Sequence, residues 1–382
     1  MRRLKRNRFK NQKNILIIAV LGLFSVFTVG YAAFQTNISL TAKGNVSPTA
    51  TYTVDDLKEL VTVTGDGLYT DSDEQGRYVY KGASPNNYLS LNGETWRIMS
   101  IESDDTLKII RENSVGNVLF DPGRASVISG ITASNSDVGT RYSSSSSDYC
   151  YASSFNLGCN VWGSKDTMAD SGGSLLRNTQ GGAKIKRSVT DTVTYNLPDD
   201  EAYVNVYLNG GTYAGVTVPG WYSTWSNSLS NVVKSYISIH LHNVGLVSNT
   251  SGQLTATDIV QEHTYTWWGI VGLMNASDYV RASSNSACTG VYAYANNSSC
   301  YNNSSSHNYL MKSTTQWTIA PLSGAIHRPW ATNSSNLSFF NASNAYSVRP
   351  VLYLYEGVLL KGEGTISKMY QIANTEVFMP IA

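Results

Sequence analysis

Charge is scarce in this chain of 382 residues: Asp, Glu, Lys and Arg make up 14% of it. The 28 basic and 27 acidic residues almost cancel, to +1. That excludes a strongly basic nucleic-acid binder. Long apolar runs are also missing, apart from one, which excludes a polytopic membrane protein. Cysteine is limited to four residues, none in a Cys-x-x-Cys pair, so neither a zinc ribbon nor a thioredoxin-type motif is supported. His-Glu-x-x-His and Gly-x-Ser-x-Gly are absent, and with them the common zinc-peptidase and hydrolase signatures. No Gly-rich phosphate loop leaves a strand to open a helix. No cofactor and no metal is expected. What is abundant is 42% hydrophobic residues, 25 Tyr, 8 Trp and 31 Gly, too aromatic a composition for a wholly disordered chain.

The charge that exists is unevenly placed. Residues 1–33 hold Arg2, Arg3, Lys5, Arg6, Arg8, Lys10 and Lys13 and no acid. The remaining 21 basic residues face 27 acidic ones, a net of −6. No charge interrupts residues 15–34. At ~1.5 Å per residue a helix of that length just crosses a hydrocarbon core of about 30 Å. Basic residues before an apolar stretch hold the N-terminus in the cytoplasm. The pattern predicts export, with residues 1–34 either a cleaved signal peptide or a single-span membrane anchor. The protein is then secreted or sits on the outer face of the membrane.

An even cysteine count in an exported chain points to disulfides. Four cysteines allow three connectivities. The local one, Cys150–Cys159 and Cys288–Cys300, is preferred, each short loop stabilising by about 2–3 kcal/mol. Four reduced, buried cysteines are the alternative.

Beyond the N-terminal segment, residues 35–60 read as a linker with a short helix over 54–61, and 61–382 as one domain. Strands are expected at 77–81, 88–91, 95–101 and 107–111, with Asn92-Gly93 a strong hairpin signal. Residues 122–147 and 167–186, rich in Ser and Gly, read as loops within that domain. Helices are expected over 198–208, 228–237 and 276–282, and strands over 267–274, 316–320 and 347–354. The fold class is α+β: antiparallel sheets, two or three short helices and long Ser/Asn/Gly-rich loops.

Several strings carry a resemblance. They are Gly76-Arg-Tyr-Val-Tyr-Lys-Gly82, Pro85-Asn-Asn-Tyr88, Asn92-Gly-Glu-Thr-Trp-Arg-Ile98, Gly269-Ile-Val-Gly-Leu-Met274, Trp317-Thr-Ile-Ala-Pro321 and Val348-Arg-Pro-Val-Leu. The set resembles a family of exported surface proteins of unknown function from low-GC Gram-positive gut bacteria. The resemblance spans about residues 60–365. It implies a C-type-lectin-like domain, in the broad sense that includes formylglycine-generating enzymes and phage tropism determinants. It also implies a late strand that returns to the sheet, with Arg349 bonded to a carboxylate or carbonyls inside. The local cysteine loops depart from the redox-active site of the formylglycine-generating relatives. The calcium-lectin signatures are absent.

Candidate chemistry is thin. His240-Leu-His242 places two imidazoles on one strand face, a weak metal signal without a third ligand. Asp71-Ser-Asp73-Glu-Gln75-Gly76 opens like a calcium loop but lacks the twelfth ligand, so an acidic turn is preferred. Residues 296–344 interleave Asn and Ser with aromatics, a mixture suited to recognition. Tyr309, Trp317, His327, Arg328 and Trp330 are the candidate ligand-binding residues. The alternative is a solvated loop whose aromatics face the core. The expected function is a non-catalytic module that binds a surface glycan or a protein, with the membrane as its other partner. An enzyme with a cryptic site or a structural envelope component are the alternatives.

Overall fold

A computed structural model describes residues 51–123, 141–143, 145–151, 157–248, 253–254, 256–286, 292–293, 306–333 and 337–378. The apolar segment 15–34 lies outside these. Among the described residues no helix is long and apolar enough to cross a membrane.

The architecture grows from the Asn92-Gly93 turn. Both residues have positive φ, 55° and 71°, the backbone that a two-residue hairpin turn demands and that Asn-Gly tolerates. The turn pairs Tyr88–Leu91 with Glu94–Ile101, and Leu91 faces Glu94 across it. Leu107–Arg111 continues the meander, as do Tyr78–Lys81 and Gly67–Thr70 on the other side. Val351–Leu354 then enters between Leu107–Arg111 and Ile237–Ser238. The result is a seven-stranded antiparallel main sheet. A five-stranded sheet holds Gln316–Pro321 and Pro329–Thr332 at its middle. A third, three-stranded sheet joins His240–Asn243, Tyr265–Gly269 and Met168–Asp170. The fold is mixed and mostly sheet, with a few short helices, in keeping with the α+β expectation.

The expected stretch 35–60 divides at residue 51. Thr51–Tyr52 pairs with Leu360–Lys361, and the helix Val54–Lys58 buries Val54 and Leu57. Thr53 and Asp56 cap that helix reciprocally, which satisfies two N-terminal amide donors. Residues 51–382 thus form one compact unit, with the short helix inside it.

Helix Ala276–Arg281 is buried along its whole length. Its Asp278 accepts from Arg77 (2.9 Å) and Lys108 (2.6 Å) of the main sheet. Arg77 also meets Asp71 at 2.9 Å and Glu102 at 3.1 Å. Glu74 pairs with Arg281 and His263, both at 2.9 Å. Burial opposes ionisation of Glu74, yet the hydrogen bond from His263 and the Arg77 and Arg281 guanidiniums hold its carboxyl well below the ordinary range. The acidic turn 71–76 is therefore occupied by the protein's own cations. Among the described residues no group of three or more His, Cys, Asp and Glu is placed to hold a metal.

Arg349 behaves as the resemblance implies. It is buried, donates to Arg111 O at 2.8 Å, and reaches Gln316 Oε1 at 3.2 Å. Cys150 and Cys159 are bonded, with Cα atoms 5.8 Å apart. Cys288 and Cys300 lie outside the described residues.

Four expectations shift. The helix expected from Pro198 begins only at Tyr203, ending at Asn209, because Pro198 O is bonded by Lys165 N across the chain. The helix over 228–237 contracts to Asn231–Ser235 behind a Ser230 cap. The strand expected to reach Met274 stops at Gly269, where Val271 N turns away to Asn209 Oδ1 at 3.0 Å. The Ser/Gly-rich stretch 167–186 supplies the strand Met168–Asp170, so part of it is sheet and not loop.

A candidate ligand-binding cleft

The third sheet sorts its side chains by strand alternation. His240–Asn243 runs antiparallel to Tyr265–Gly269, pairing Leu241 with Trp268 and His242 with Trp267. Successive residues point to opposite faces. Trp267 and His242 are consequently buried, while Trp268 is 44% exposed. The Trp268 ring is held from behind: its Nε1 donates to Gly173 O at 3.1 Å. Gly173 has φ +80°, and a Cβ there would come within 3.0 Å of Leu241 and 3.4 Å of the Trp268 ring. Glycine lets the loop close up under the indole.

Trp268 lines a cleft of about 560 Å³ where this sheet meets an end of the main sheet. The turn before Leu107 supplies Asp104 and Thr106. The end of Val351–Leu354 supplies Tyr355 and Glu356, and the C-terminal segment supplies Phe378. Phe378 is anchored by its N–H to Ser235 Oγ (2.8 Å) and stacks on Tyr355 at 4.6 Å. Ile239, 58% exposed, adds apolar surface.

The polar wall is pre-arranged. His240 Nε2 lies 3.1 Å from Asp104 Oδ2 and 3.3 Å from Thr106 Oγ1. Its ring lies flat on Tyr353, 3.8 Å between centroids. Partial burial opposes ionisation of Asp104, but hydrogen bonds from His240 and Thr106 outweigh it and hold its pKa at about 2. An Asp–His pair can move a proton. The Thr106 hydroxyl beside it is buried, however, and already donates to Asp104 at 2.7 Å. Ser238 Oγ donates to a backbone carbonyl at 3.1 Å. What the cleft offers is a fixed aromatic ring and fixed hydrogen-bonding groups in one lining.

The two histidines do share Tyr353, as a common strand face requires. His242 meets it edge-on at 5.1 Å. The tyrosine ring keeps the imidazoles from converging on one ion. Burial pushes His242 well below its usual pKa, so it stays neutral.

The residues chosen from sequence do not form one surface. Trp317 and Trp330 are fully buried. Trp317 donates to Val118 O at 2.9 Å and packs on Phe120. Trp330 donates to Val247 O at 3.3 Å and meets Phe339 edge-on. Tyr309 is buried over the Arg97 guanidinium, 4.7 Å away, with Tyr88 at 3.7 Å. These three are core residues, a correction to the surface reading: the two tryptophans sit on strands Gln316–Pro321 and Pro329–Thr332, buried at every position, and Tyr309 is packed on buried Arg97. His327 and Arg328 are half-buried at the turn between those strands. Partial burial, then the neighbouring Arg328, lowers the His327 pKa. Neither residue lines the cleft. Sequence reasoning passed over Trp268, Asp104, Tyr355, Glu356 and Phe378. One signal was available: Trp267 and Trp268, adjacent in a strand, must point to opposite faces of the sheet.

A second cleft, of about 640 Å³, runs beside Cys150. Its charges are spent on one another: Lys165 pairs with Asp199 at 2.6 Å and Arg177 with Asp166 at 3.3 Å. Arg141 there is buried on Asp121 at 2.7 Å. No family model matches the chain, and neither the search of curated proteins nor that of solved structures gave a match.

Proposed function

We propose that this is a non-catalytic surface module that binds a glycan in the Trp268 cleft. One observation carries the reading: a half-exposed indole, fixed by Gly173 O, lines the same cleft as Asp104, His240 and Glu356. Sugar rings present apolar C–H faces that suit a flat aromatic, and hydroxyls that suit carboxylates and imidazole. Export supports the outer cell surface as its place, with residues 1–34 as signal or anchor. The Cys150–Cys159 bond fits an oxidising compartment. The domain is assigned to the C-type-lectin-like group on the family resemblance. A late strand seated inside the main sheet and the bonding of Arg349 support that assignment.

The test is a glycan array with the full-length chain in detergent, alongside Trp268→Ala. Binding of at least one glycan class, weakened about tenfold or more in the variant, is expected; tenfold corresponds to ~1.4 kcal/mol. Retained binding in Trp268→Ala would place the site elsewhere. Binding only to protein ligands would replace the glycan with a protein partner.

A further inference from the structure

Among the described residues, the charged side chains lining the cleft are Asp104, His240 and Glu356, and no Lys or Arg lines it. Asp104 has His240 beside it at 3.1 Å. Even a protonated imidazole neutralises Asp104 alone. Glu356 is exposed, and its carboxylate makes no hydrogen bond or ion pair with any described residue. The cleft therefore keeps at least one unbalanced negative charge. Its apolar walls, Trp268, Tyr355 and Phe378, add the electron-rich ring faces that attract cations.

On these grounds, and resting on the glycan reading above, we infer that the cleft selects sugars bearing a free, protonated amine, of the glucosamine type. A ring of that kind stacks its C–H face on Trp268 and presents its ammonium to Glu356. N-acetylation removes the positive charge while keeping the ring. A uronic acid reverses the sign, and like charges at close range repel.

The experiment is calorimetric titration of the full-length chain in detergent with four probes. These are a glucosamine trimer, an N-acetylglucosamine trimer, a galacturonate trimer and trilysine. The glucosamine trimer is expected to bind about tenfold tighter than its N-acetylated counterpart at low salt. The gap should narrow at about 0.5 M salt, because exposed charges are screened. The galacturonate trimer should not bind. Glu356→Gln, an exposed substitution whose folding is checked by thermal melting, should bring the two glucosamine-type affinities within about threefold. Equal affinities in the wild type overturn this inference and leave the glycan reading standing. No binding by any sugar overturns the glycan reading itself. Trilysine binding as tightly as the glucosamine trimer overturns the inference too, since a bare cation would then suffice.

Discussion

The chain has two aromatic-rich regions with opposite fates. Around Trp317 and Trp330 the rings are sealed in. Around Trp268 the ring stands half in solvent. Composition does not separate them, since both are Trp on a strand. The difference is what covers each strand. Gln316–Pro321 and Pro329–Thr332 lie in the middle of a five-stranded sheet, with helix Ala276–Arg281 packed on them. Tyr265–Gly269 sits between two short strands and leaves one face uncovered at Trp268. An indole N–H bonded to a carbonyl occurs in all three tryptophans. That bond serves interior packing in two of them and orients a free ring in the third.

This contrast can be broken or sharpened by mutation. The largest effect should come from Trp317→Ala. Removing a fully buried indole costs about 3–5 kcal/mol, read as a lower midpoint in denaturant titration. Trp268→Ala should cost only about 1–2 kcal/mol by the same measure, since its ring is half exposed. Equal losses would erase the distinction between core and cleft. Next comes Cys150→Ser with Cys159→Ser. Cys150 and Cys159 belong to the same interior as Trp162 and Trp317. Opening their short loop should cost about 2–3 kcal/mol, with ligand binding at Trp268 retained. Mapping of unreduced peptides should show the Cys150–Cys159 link, and the Cys288–Cys300 link expected from sequence.

The smallest effect concerns pH. Asp104 has its folded pKa depressed to about 2, below the ordinary aspartate value of 3.8. A depressed carboxyl contributes stability that is present above the unfolded pKa and lost as pH falls through the folded one. Stability should therefore hold above about pH 4 and lose this contribution between about pH 4 and 2. Asp104→Asn should flatten that part of the acid-denaturation curve. An unchanged acid limb would show that the His240 contact does not stabilise the ionised form.

The strand skeleton was legible where local signals and burial agree. Asn92-Gly93 marked its hairpin, and the β-branched run in Leu107–Arg111 and the acid-led start of Val54–Lys58 marked theirs. Helix Ala276–Arg281 was legible as well. The helix Trp221–Ser226 was not, since it opens at Gly220 with no side-chain cap and no periodic apolar stripe precedes it. The cleft was illegible for a different reason. Asp104, Gly173, Trp268, Glu356 and Phe378 come from five separate stretches, and only tertiary packing brings them together. Tyr309, Trp317 and Trp330 misled because aromatics among Asn and Ser suit a binding surface and a core equally well.

The strand Val351–Leu354 has a consequence for timing. It completes the main sheet beside Leu107–Arg111, and Arg349 bonds to Arg111, 238 positions earlier. A chain released N-terminus first from a ribosome makes Leu107–Arg111 long before its neighbour exists. Until the last segment emerges, that strand has an open, apolar edge. Contacts so distant in sequence also slow folding. The main sheet is thus a structure that closes late, and a nascent chain cut short before residue 350 should be unable to close it.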